Sequence, residues 1–312
     1  MSEERTDTNP GFLCTVSADT ETRLDRYIAG SLKLFSRSQI KARKLKAKIN
    51  GKTVKLSRLV KNGDNLELFW EDPEPVELIP EKLPLDIIYE DQYCAVINKA
   101  QGMVVHPGAG NRKSTLANAL LYHALNSGNN FHFDNKSIRP GIVHRLDKDT
   151  SGLIIIAWDD QSHAFLADQF KQRKVTKTYA AIVKGTPQKS GRIETFICRN
   201  KRDRKTFSVS PDRGKPGVTR YKLVKSYKSH SLLLLRPKTG RTHQLRVHLK
   251  ALGHPIIGDP LYGEADKRFP HSSLMLHAKR LSIILPNQKT KTVFRSNFPP
   301  RFCEMLEELK RK

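Results

Sequence analysis

The stretch PGIVHRLDKDTSGLIIIA, residues 140–157, joins a charged segment to an apolar one. The apolar run 152–157 is short, continuous and rich in β-branched residues, which predicts a buried strand. The charged segment before it is therefore expected in a loop at the edge of a core. Its charged and titratable side chains are His144, Arg145, Asp147, Lys148 and Asp149.

Asp147 has two interpretations in this loop. Arg145 and Lys148 flank it, and nearby cations favour the ionised carboxylate that a nucleophile or base requires. The same neighbours fit an ordinary ion pair, which is the commonest role of an aspartate. The DTSG of 149–152 is only faintly similar to the aspartic-protease loop, because the order differs and no second copy supplies a partner carboxylate. The loop alone leaves nucleophile and ion pair open.

The composition favours a polyanionic partner. The chain has 312 residues, enough for two domains, and 56 Lys and Arg against 31 Asp and Glu give a formal net charge of +25. The positive charge is clustered rather than spread evenly, which favours nucleic acid over a generally basic, solvated surface.

Other classes of site are disfavoured. The four cysteines lack C-x-x-C spacing, so we expect a reducing compartment without disulfides or zinc. His243 and His248 do not form the H-E-x-x-H pattern of a metal site. No apolar run reaches the roughly 18 residues that a membrane span requires, and the polar start does not resemble a signal peptide. We therefore expect a cytoplasmic protein that does not bind membranes or metal.

The chain is predicted to contain two domains, with a tail over residues 1–20. Residues 21–70 form a small basic domain, the acidic, proline-rich segment 71–86 a linker, and residues 87–312 a larger domain. In the larger domain, strands and helices mix without regular βαβ alternation and without G-x-G-x-x-G, so the predicted class is α+β. Its predicted strands are 93–99, 152–157, 177–185, 231–237 and 280–286, and its predicted helices are 114–125, 161–172 and 242–253.

The small domain has a cationic helix. Apolar spacing predicts a first helix over 22–34, and Ser36 is a suitable N-cap for a second helix that reaches about Leu45. Turns are predicted at NGK, 50–52, and NGD, 62–64, before a final strand. A solvated helix face is the alternative to RNA binding, but no acid lies between residues 41 and 61. The basic side chains predicted to contact RNA are Arg37, Lys41, Arg43 and Lys44.

Two further side chains in the large domain are notable. Tyr179 lies on the predicted strand 177–185, where a tyrosine most often serves packing. Arg246 lies in the predicted helix 242–253, on a face that mixes apolar and polar groups. A partly buried arginine requires a carboxylate partner, and Asp147 is the candidate.

The order of these motifs resembles the RNA pseudouridine synthases of the RluA/RluD type, over roughly residues 85–286. HRLDKDTSG at 144–152, KTY at 177–179 and GRTHQLR at 240–246 resemble the family's motifs, as do the stretches HPGAGN at 106–111, HPIIGDPLYG at 254–263 and LHA at 276–278. HPGAGN and the later KPGVTRY are similar to the D-type branch. The basic domain resembles an S4-type RNA-binding domain.

The resemblance implies a fold and a reaction. The fold would be a mixed, largely antiparallel central sheet with flanking helices, plus the small S4-type α/β domain. The reaction would isomerise uridine to pseudouridine in RNA, with large-subunit (23S) ribosomal RNA as the expected substrate, without a cofactor. A monomer is the simplest expectation for the oligomeric state. Asp147 would start glycosidic cleavage, Arg246 would pair with it, and Tyr179 would stack on the uracil.

RNA contacts in the large domain are implied by the same resemblance. Arg145 would fill the space that the flipped base leaves. A basic loop around residues 199–205 is expected to hold RNA backbone, with a mobile charged loop as the alternative. The predicted contacts of this domain are Arg145, Arg202, Arg204, Arg241 and His243.

Two other functions compete with the isomerase. One is a non-catalytic RNA-binding or ribosome-assembly factor on the same scaffold, for which the set of Asp147, Tyr179 and Arg246 has no use. The other is a nucleoside-directed glycoside hydrolase, which would require a second acid to protonate the leaving group and would release free base.

Overall fold

A computed structural model describes residues 11–71, 78–108, 111–127, 141–200, 202–203 and 205–311. The chain divides into two compact units between residues 76 and 77. None of the described helices is long and apolar enough to cross a membrane.

The first unit contains a four-stranded antiparallel sheet in the order β1-β6-β3-β4, and β2 pairs with β5. Its core includes the buried side chains of Leu24, Ile28, Leu66 and Leu68. Its described elements are β1 Phe12–Thr15, β2 Thr22–Arg23, α1 Leu24–Arg26, a π-helix Tyr27–Ser31, α2 Arg37–Ala42, β3 Lys46–Ile49, β4 Lys52–Val54, β5 Leu59–Val60 and β6 Asn65–Phe69.

The N-terminus of α2 is capped as the sequence predicts. The Ser36 hydroxyl accepts a hydrogen bond from the Gln39 N–H at 3.4 Å, and the Gln39 side chain accepts one from the Ser36 N–H at 2.8 Å. This capping box confirms the predicted N-cap. Asn50 and Gly51, with φ of 51° and 78°, form the predicted turn between β3 and β4.

Three predictions for this unit are corrected. The tail expected through residue 20 ends earlier, because Phe12–Thr15 pairs with β6. The helix expected over 22–34 is α1 followed by a π-helix, in which the Leu32 N–H donates to the Tyr27 carbonyl at 3.0 Å. The second helix ends at Ala42, before a left-handed Lys44, φ 47°, that turns Leu45 into the core.

The second unit is built on a ten-stranded sheet in the order β12-β11-β13-β14-β10-β15-β9-β8-β7, with β16 also paired to β15. Only the β9–β15 pair is parallel among the described pairs, which confirms the α+β class and the largely antiparallel sheet. Its elements are β7 Ile87–Glu90, β8 Cys94–Lys99, α3 Leu116–Asn126, β9 Ser151–Ala157, α4 Asp160–Lys171, β10 Thr176–Lys184, β11 Ser190–Arg199, β12 Phe207–Ser210, β13 Lys215–Ser226, β14 His230–Pro237, α5 Gln244–Ala251, β15 Leu276–Ile284, β16 Lys291–Arg295 and α6 Pro300–Lys310.

β9 explains the position of the charged loop. Ile154 and Ile156 pack in the core that includes α3 and α6, whereas Leu153 and Ile155 pack in the core that includes α4. Because both faces are covered, every residue of β9 is buried and the strand lacks alternation. The loop 144–150 therefore enters the sheet at a fixed point.

The linker expected over 71–86 is shorter than predicted. The Glu81 carboxylate accepts from the Ser114 N–H at 2.9 Å, and the Asn118 side chain donates to the Ile79 carbonyl at 2.8 Å. Leu78 also packs against the large core. Residues 78–86 therefore belong to the second unit.

Candidate active site

The three catalytic candidates meet at one pocket of about 120 Å³. Asp147 comes from the loop before β9, Tyr179 from β10 and Arg246 from α5. The sequence separates these side chains by up to about a hundred residues, and the fold brings them to one wall. Other polar side chains that line the pocket are Arg145, Thr150, Lys177, Arg241, His243 and Gln244.

The loop that carries Asp147 is held tightly at its end. The Thr150 N–H donates to the Asp147 carbonyl at 3.1 Å, which closes a turn. Gly152 has φ of 109°, and a Cβ there would lie 2.4 Å from the Ala278 carbonyl oxygen, so the contact between β9 and β15 requires glycine. The Asp147 side chain keeps 21% exposure, which leaves its carboxylate accessible.

A buried lysine supports the same loop from beneath. Lys99 is 1% exposed, and its ammonium donates to the carbonyls of Ala100 at 2.7 Å, Met103 at 2.9 Å and Lys148 at 3.1 Å. Burial lowers the pKa of Lys99 to about 8, and the Asp149 carboxylate acts against that decrease. The bond to Lys148 fixes the backbone next to the candidate nucleophile.

Arg246 has a closer partner than the one predicted. Its Nε and Nη2 donate to the Asp259 carboxylate at 2.8 and 2.6 Å, whereas its Nη1 lies 3.8 Å from Asp147. Asp259 is buried and also accepts the backbone N–H groups of Leu261 and Tyr262, each at 3.0 Å. A fully buried guanidinium needs a bidentate carboxylate, which the partly exposed Asp147 does not provide. The predicted ion pair between Arg246 and Asp147 is present at 3.8 Å, and Asp259 is an additional, closer partner that holds the guanidinium.

Tyr179 lies at an irregularity in the sheet. The register of β10 against β15 shifts between Thr178, opposite Arg280, and Tyr179, opposite Ala278. The extra residue, Lys279, is on β15, so β10 keeps its alternation and Tyr179 lies beside the bulge. Burial, and then the Asp147 carboxylate, raise the pKa of the Tyr179 hydroxyl, so the phenol is protonated in the free enzyme.

The loop before α5 is rigid. His243 has a left-handed φ of 56°, and its Nδ1 lies 2.8 Å from the Tyr262 hydroxyl, which accepts the Phe207 N–H at 2.8 Å. Burial lowers the pKa of His243, consistent with a neutral ring. The Gln244 side chain accepts from the Thr239 hydroxyl at 2.7 Å, which ties the loop to α5.

The predicted RNA contacts of the second unit lie in different places. Arg145 is exposed where it lines the pocket, and Arg241 lines the same pocket while its Nε donates to the Pro216 carbonyl at 3.0 Å. Arg202 is exposed in the basic loop after β11. Arg204 lies outside the described residues.

Two of the basic side chains that are predicted to contact RNA in the first unit face carboxylates from other segments of that unit. The Arg37 guanidinium lies 2.9 Å from Asp25, and the exposed Lys44 ammonium lies 3.1 Å from Glu71. Arg43 lies over the Phe35 ring at 4.7 Å, and Lys41 is exposed. RNA binding by these side chains stays a prediction.

Sequence reasoning missed Asp259, Lys99 and Lys177 as members or supports of the site. Asp259 stands within the stretch 254–263 that resembles the family, so a signal existed for it. Lys99 had no local signal, because its burial depends on the packing of β8. Among the described residues, no group of three or more His, Cys, Asp or Glu side chains is placed to hold a metal ion.

Comparison with known families decides the class. The model of the family described as RNA pseudouridylate synthase matches residues 93–251, which contain Asp147, Tyr179 and Arg246. The chain belongs to the RNA pseudouridylate synthase family. This pseudouridine synthase is an isomerase, as the resemblance implied, and the isomerase fold is confirmed by its solved neighbours.

Several relatives of this pseudouridine synthase match nearly its whole length. The protein of Borreliella burgdorferi named ribosomal large subunit pseudouridine synthase D is 47% identical, over 91% of this chain and 88% of that protein. A protein of the same name from Zymomonas mobilis is 38% identical, over 89% and 90%. The structure of human RNA pseudouridylate synthase domain containing 1 is 28% identical with a TM-score of 0.57, over 78% of this chain and 98% of that one.

Proposed function

We propose that this cytoplasmic, monomeric enzyme isomerises specific uridines in large-subunit ribosomal RNA, with Asp147 as the nucleophile or base. The observation that supports the site is the pocket where an accessible Asp147 carboxylate, Tyr179 and a buried Arg246 converge. The printed names of the relatives from Borreliella burgdorferi and Zymomonas mobilis support the substrate. The clustered positive charge suits RNA.

The reaction breaks one bond to ribose and forms another. The C1′–N1 bond of uridine is cleaved, the uracil turns within the pocket, and a C1′–C5 bond replaces the first. The C5 proton is then lost and a proton returns to N1, so the sum is an isomerisation without oxidant, reductant or cofactor. Asp147 starts this sequence by attacking the sugar, attacking the base or removing a sugar proton.

Arg246 acts through charge and orientation. Asp259 fixes the guanidinium by two hydrogen bonds, so the Nη1 group is presented to Asp147 without a conformational search. The bound base would displace water from the pocket, which strengthens the attraction between guanidinium and carboxylate. Arg246 thereby orients the Asp147 carboxylate.

Tyr179 serves the base. Its ring lines the pocket as a surface on which uracil stacks. The Asp147 charge raises the pKa of its hydroxyl, so neutralisation of that charge by a covalent bond would lower this pKa again. The lower pKa favours the phenolate, which is the form of Tyr179 that can accept the C5 proton, and the phenol proton would pass to N1 of the detached uracil.

The pocket contains a single carboxylate among its described lining residues, Asp147. A glycoside hydrolase needs a second acid to protonate its leaving group. The lining therefore favours isomerisation, in which the base remains in place and returns to the ribose.

RNA reaches the pocket through basic side chains around it. The target base must leave its stack, at a cost of a few kcal/mol, and Arg145 at the pocket occupies the vacated space. Backbone contacts come from Arg202, Arg204, Arg241 and His243 in the second unit and from Arg37, Lys41, Arg43 and Lys44 in the first.

The substrate is tested by mapping. Ribosomal RNA and transfer RNA from a strain without this gene are incubated with the purified enzyme, and new pseudouridines are located by carbodiimide modification and primer extension. New sites are expected in the large-subunit RNA. Sites confined to transfer RNA or small-subunit RNA would refute the proposed substrate.

A further inference from the structure

A second cavity, of about 410 Å³, adjoins the candidate active site. It is formed by the end of α4, the start of β10 and the loop after β14. The two cavities share the side chains or backbone of Arg145, Lys177, Pro237, Thr239, Gly240 and Arg241. An occupant of one cavity is therefore a direct neighbour of an occupant of the other.

The second cavity is lined by cations. Its cationic lining residues are Arg145, Lys171, Arg173, Lys177, Lys238 and Arg241. No Asp or Glu belongs to the described lining, and none of these six side chains forms an ion pair with a carboxylate in the described part of the chain. A cleft lined by charges of one sign concentrates its field on an ion of the opposite sign.

Lys177 connects the two cavities. It precedes Tyr179 by two residues on β10, so the two side chains lie on the same face of the strand. Its ammonium lies 5.5 Å from the Phe170 ring centroid, and burial lowers its pKa. A half-buried cation without a carboxylate is costly, and a bound anion offsets that cost.

His144 adds no charge to this wall. Its Nε2 accepts the Ile155 N–H at 3.1 Å, and its ring stacks on Phe170 at 4.4 Å. Burial, and then Lys177, lower its pKa to about 3, so the ring is neutral. The cavity therefore presents cations above an apolar floor.

We propose that the second cavity is a phosphate subsite, which holds a phosphodiester directly attached to the target uridine. The proposal rests on the proposed function, because it takes the first pocket as the site of the uracil. If the base of a nucleotide stacks on Tyr179 and its ribose lies at Asp147, each phosphate attached to that ribose is only one linkage away from the first pocket. Lys177 and Arg241 line both cavities, so they would lie between the ribose and its phosphate.

The subsite has a defined purpose in the reaction. The uracil is detached from the ribose during the isomerisation, so the sugar needs an anchor that does not depend on the base. A phosphate held by fixed cations keeps C1′ near Asp147 while the base turns. The chemical class of the ligand is a phosphodiester of RNA, on either the 5′ or the 3′ side of the target.

The test uses two variants that alter the second cavity alone. Lys171→Gln and Arg173→Gln each remove one exposed cation that does not line the first pocket. Lys228→Gln is the matched control, since it removes an exposed lysine before the opposite end of β14. The substrate is an RNA hairpin that contains a mapped target uridine, with a neutral methylphosphonate in place of the 5′ or the 3′ phosphodiester.

Binding and activity are measured together. In the full-length enzyme, the neutral linkage on one side is expected to weaken hairpin binding about fivefold to tenfold, and each cavity variant to do the same. A cavity variant combined with the neutral linkage should lose no more binding affinity than either change causes alone. In a plot of log Kd against log salt concentration, the slope of each cavity variant should be smaller than that of the wild type by about 0.7, and Lys228→Gln should have the wild-type slope.

Several results would overturn the subsite. The first is that the losses of binding affinity from the neutral linkage and from a cavity variant add. The second is that neutral linkages several nucleotides away from the target weaken binding equally. The third is that the cavity variants bind the hairpin as well as Lys228→Gln does. Failure of the proposed function looks different: the wild-type enzyme would release no tritium from carbon 5 of the unmodified hairpin. The binding comparison measures the phosphate contact separately from tritium release, so the two failures are distinguishable.

Discussion

At the scale of single residues, the site is a chain of alternating charges. The buried Asp259 holds Arg246 by two hydrogen bonds, and Arg246 presents Nη1 to Asp147 at 3.8 Å. Removal of one member of a buried pair leaves an uncompensated charge, which costs about 3–5 kcal/mol. The same arginine contacts both the buried Asp259 and the accessible Asp147.

Arg246→Lys tests these two contacts without removing the positive charge. A lysine ammonium cannot bind Asp259 through two parallel bonds and face Asp147 as well. We expect kcat for tritium release to fall at least about tenfold, corresponding to about 1.4 kcal/mol of transition-state free energy. Wild-type kcat in a folded Arg246→Lys enzyme would show that the bidentate geometry is not required.

Tyr179→Phe separates stacking from proton removal. Phenylalanine keeps the ring surface but lacks the hydroxyl that would accept the C5 proton. We expect RNA affinity close to wild type and a loss of tritium release of about 10²-fold or more, the range of general base catalysis. Tritium release at the wild-type rate would assign Tyr179 to stacking alone.

At the scale of elements, β9 and β15 form the frame of the site. Ser151 Oγ accepts from Arg301 of α6 at 2.6 Å and lies 2.9 Å from Nδ1 of the buried His277. His277 Nε2 lies 2.8 Å from the Ser296 hydroxyl. These contacts tie the end of the chain to the strand that follows Asp147.

Buried histidines on β15 and α5 predict acid sensitivity. Burial lowers the pKa of His277 and that of His248 to about 4, below the unfolded value of about 6.5. Because the unfolded state binds the proton first, stability is fully present above about pH 6.5 and is lost as the pH falls toward 4. Protonation of each histidine in the unfolded state should therefore reduce the free energy of unfolding by roughly 2 kcal/mol between pH 7 and pH 5.

Urea unfolding at pH 7 and pH 5 measures this loss. His277→Asn removes one titrating group, so its unfolding free energy should depend less on pH than that of the wild type. An equal pH dependence in both proteins would exclude His277 as a source of the acid sensitivity.

Elements with a local sequence pattern were predictable, whereas elements that depend on pairing with distant strands were not. β9 and β10 were found because both are continuous apolar runs, and the capping box of α2 was found because it is local. β13 was missed because KPGVTRYKLVKS mixes Pro, Gly and charges, and it is a strand only through its pairing with β11 and β14. Asp259, the second partner of Arg246, was missed for a similar reason: its distance from the arginine depends on the packing of α5, which spacing does not encode.

At the scale of the molecule, RNA binding follows from the net charge of +25 and its distribution over two units. The first unit contains cations in two situations. Arg37 already faces Asp25 at 2.9 Å, whereas Lys41 is exposed and forms no ion pair in the described part of the chain. A cation that already faces a carboxylate has less charge to offer a phosphate.

Lys41→Gln should therefore weaken RNA binding more than Arg37→Gln. The measurement is the Kd of a ribosomal RNA hairpin at low salt, with kcat as the second readout. Because the first unit is proposed to contact backbone only, kcat should stay unchanged in both variants. Equal Kd values for the two variants and the wild type would remove this helix from the RNA interface.

The central claim is that Asp147 starts the reaction, and one measurement tests it most directly. Large-subunit ribosomal RNA with tritium on carbon 5 of uridine is mixed with wild-type enzyme or with Asp147→Asn, without any added cofactor. The wild type should release tritium to water, whereas Asp147→Asn should bind the RNA and release none. Tritium release by Asp147→Asn at the wild-type rate would contradict the account.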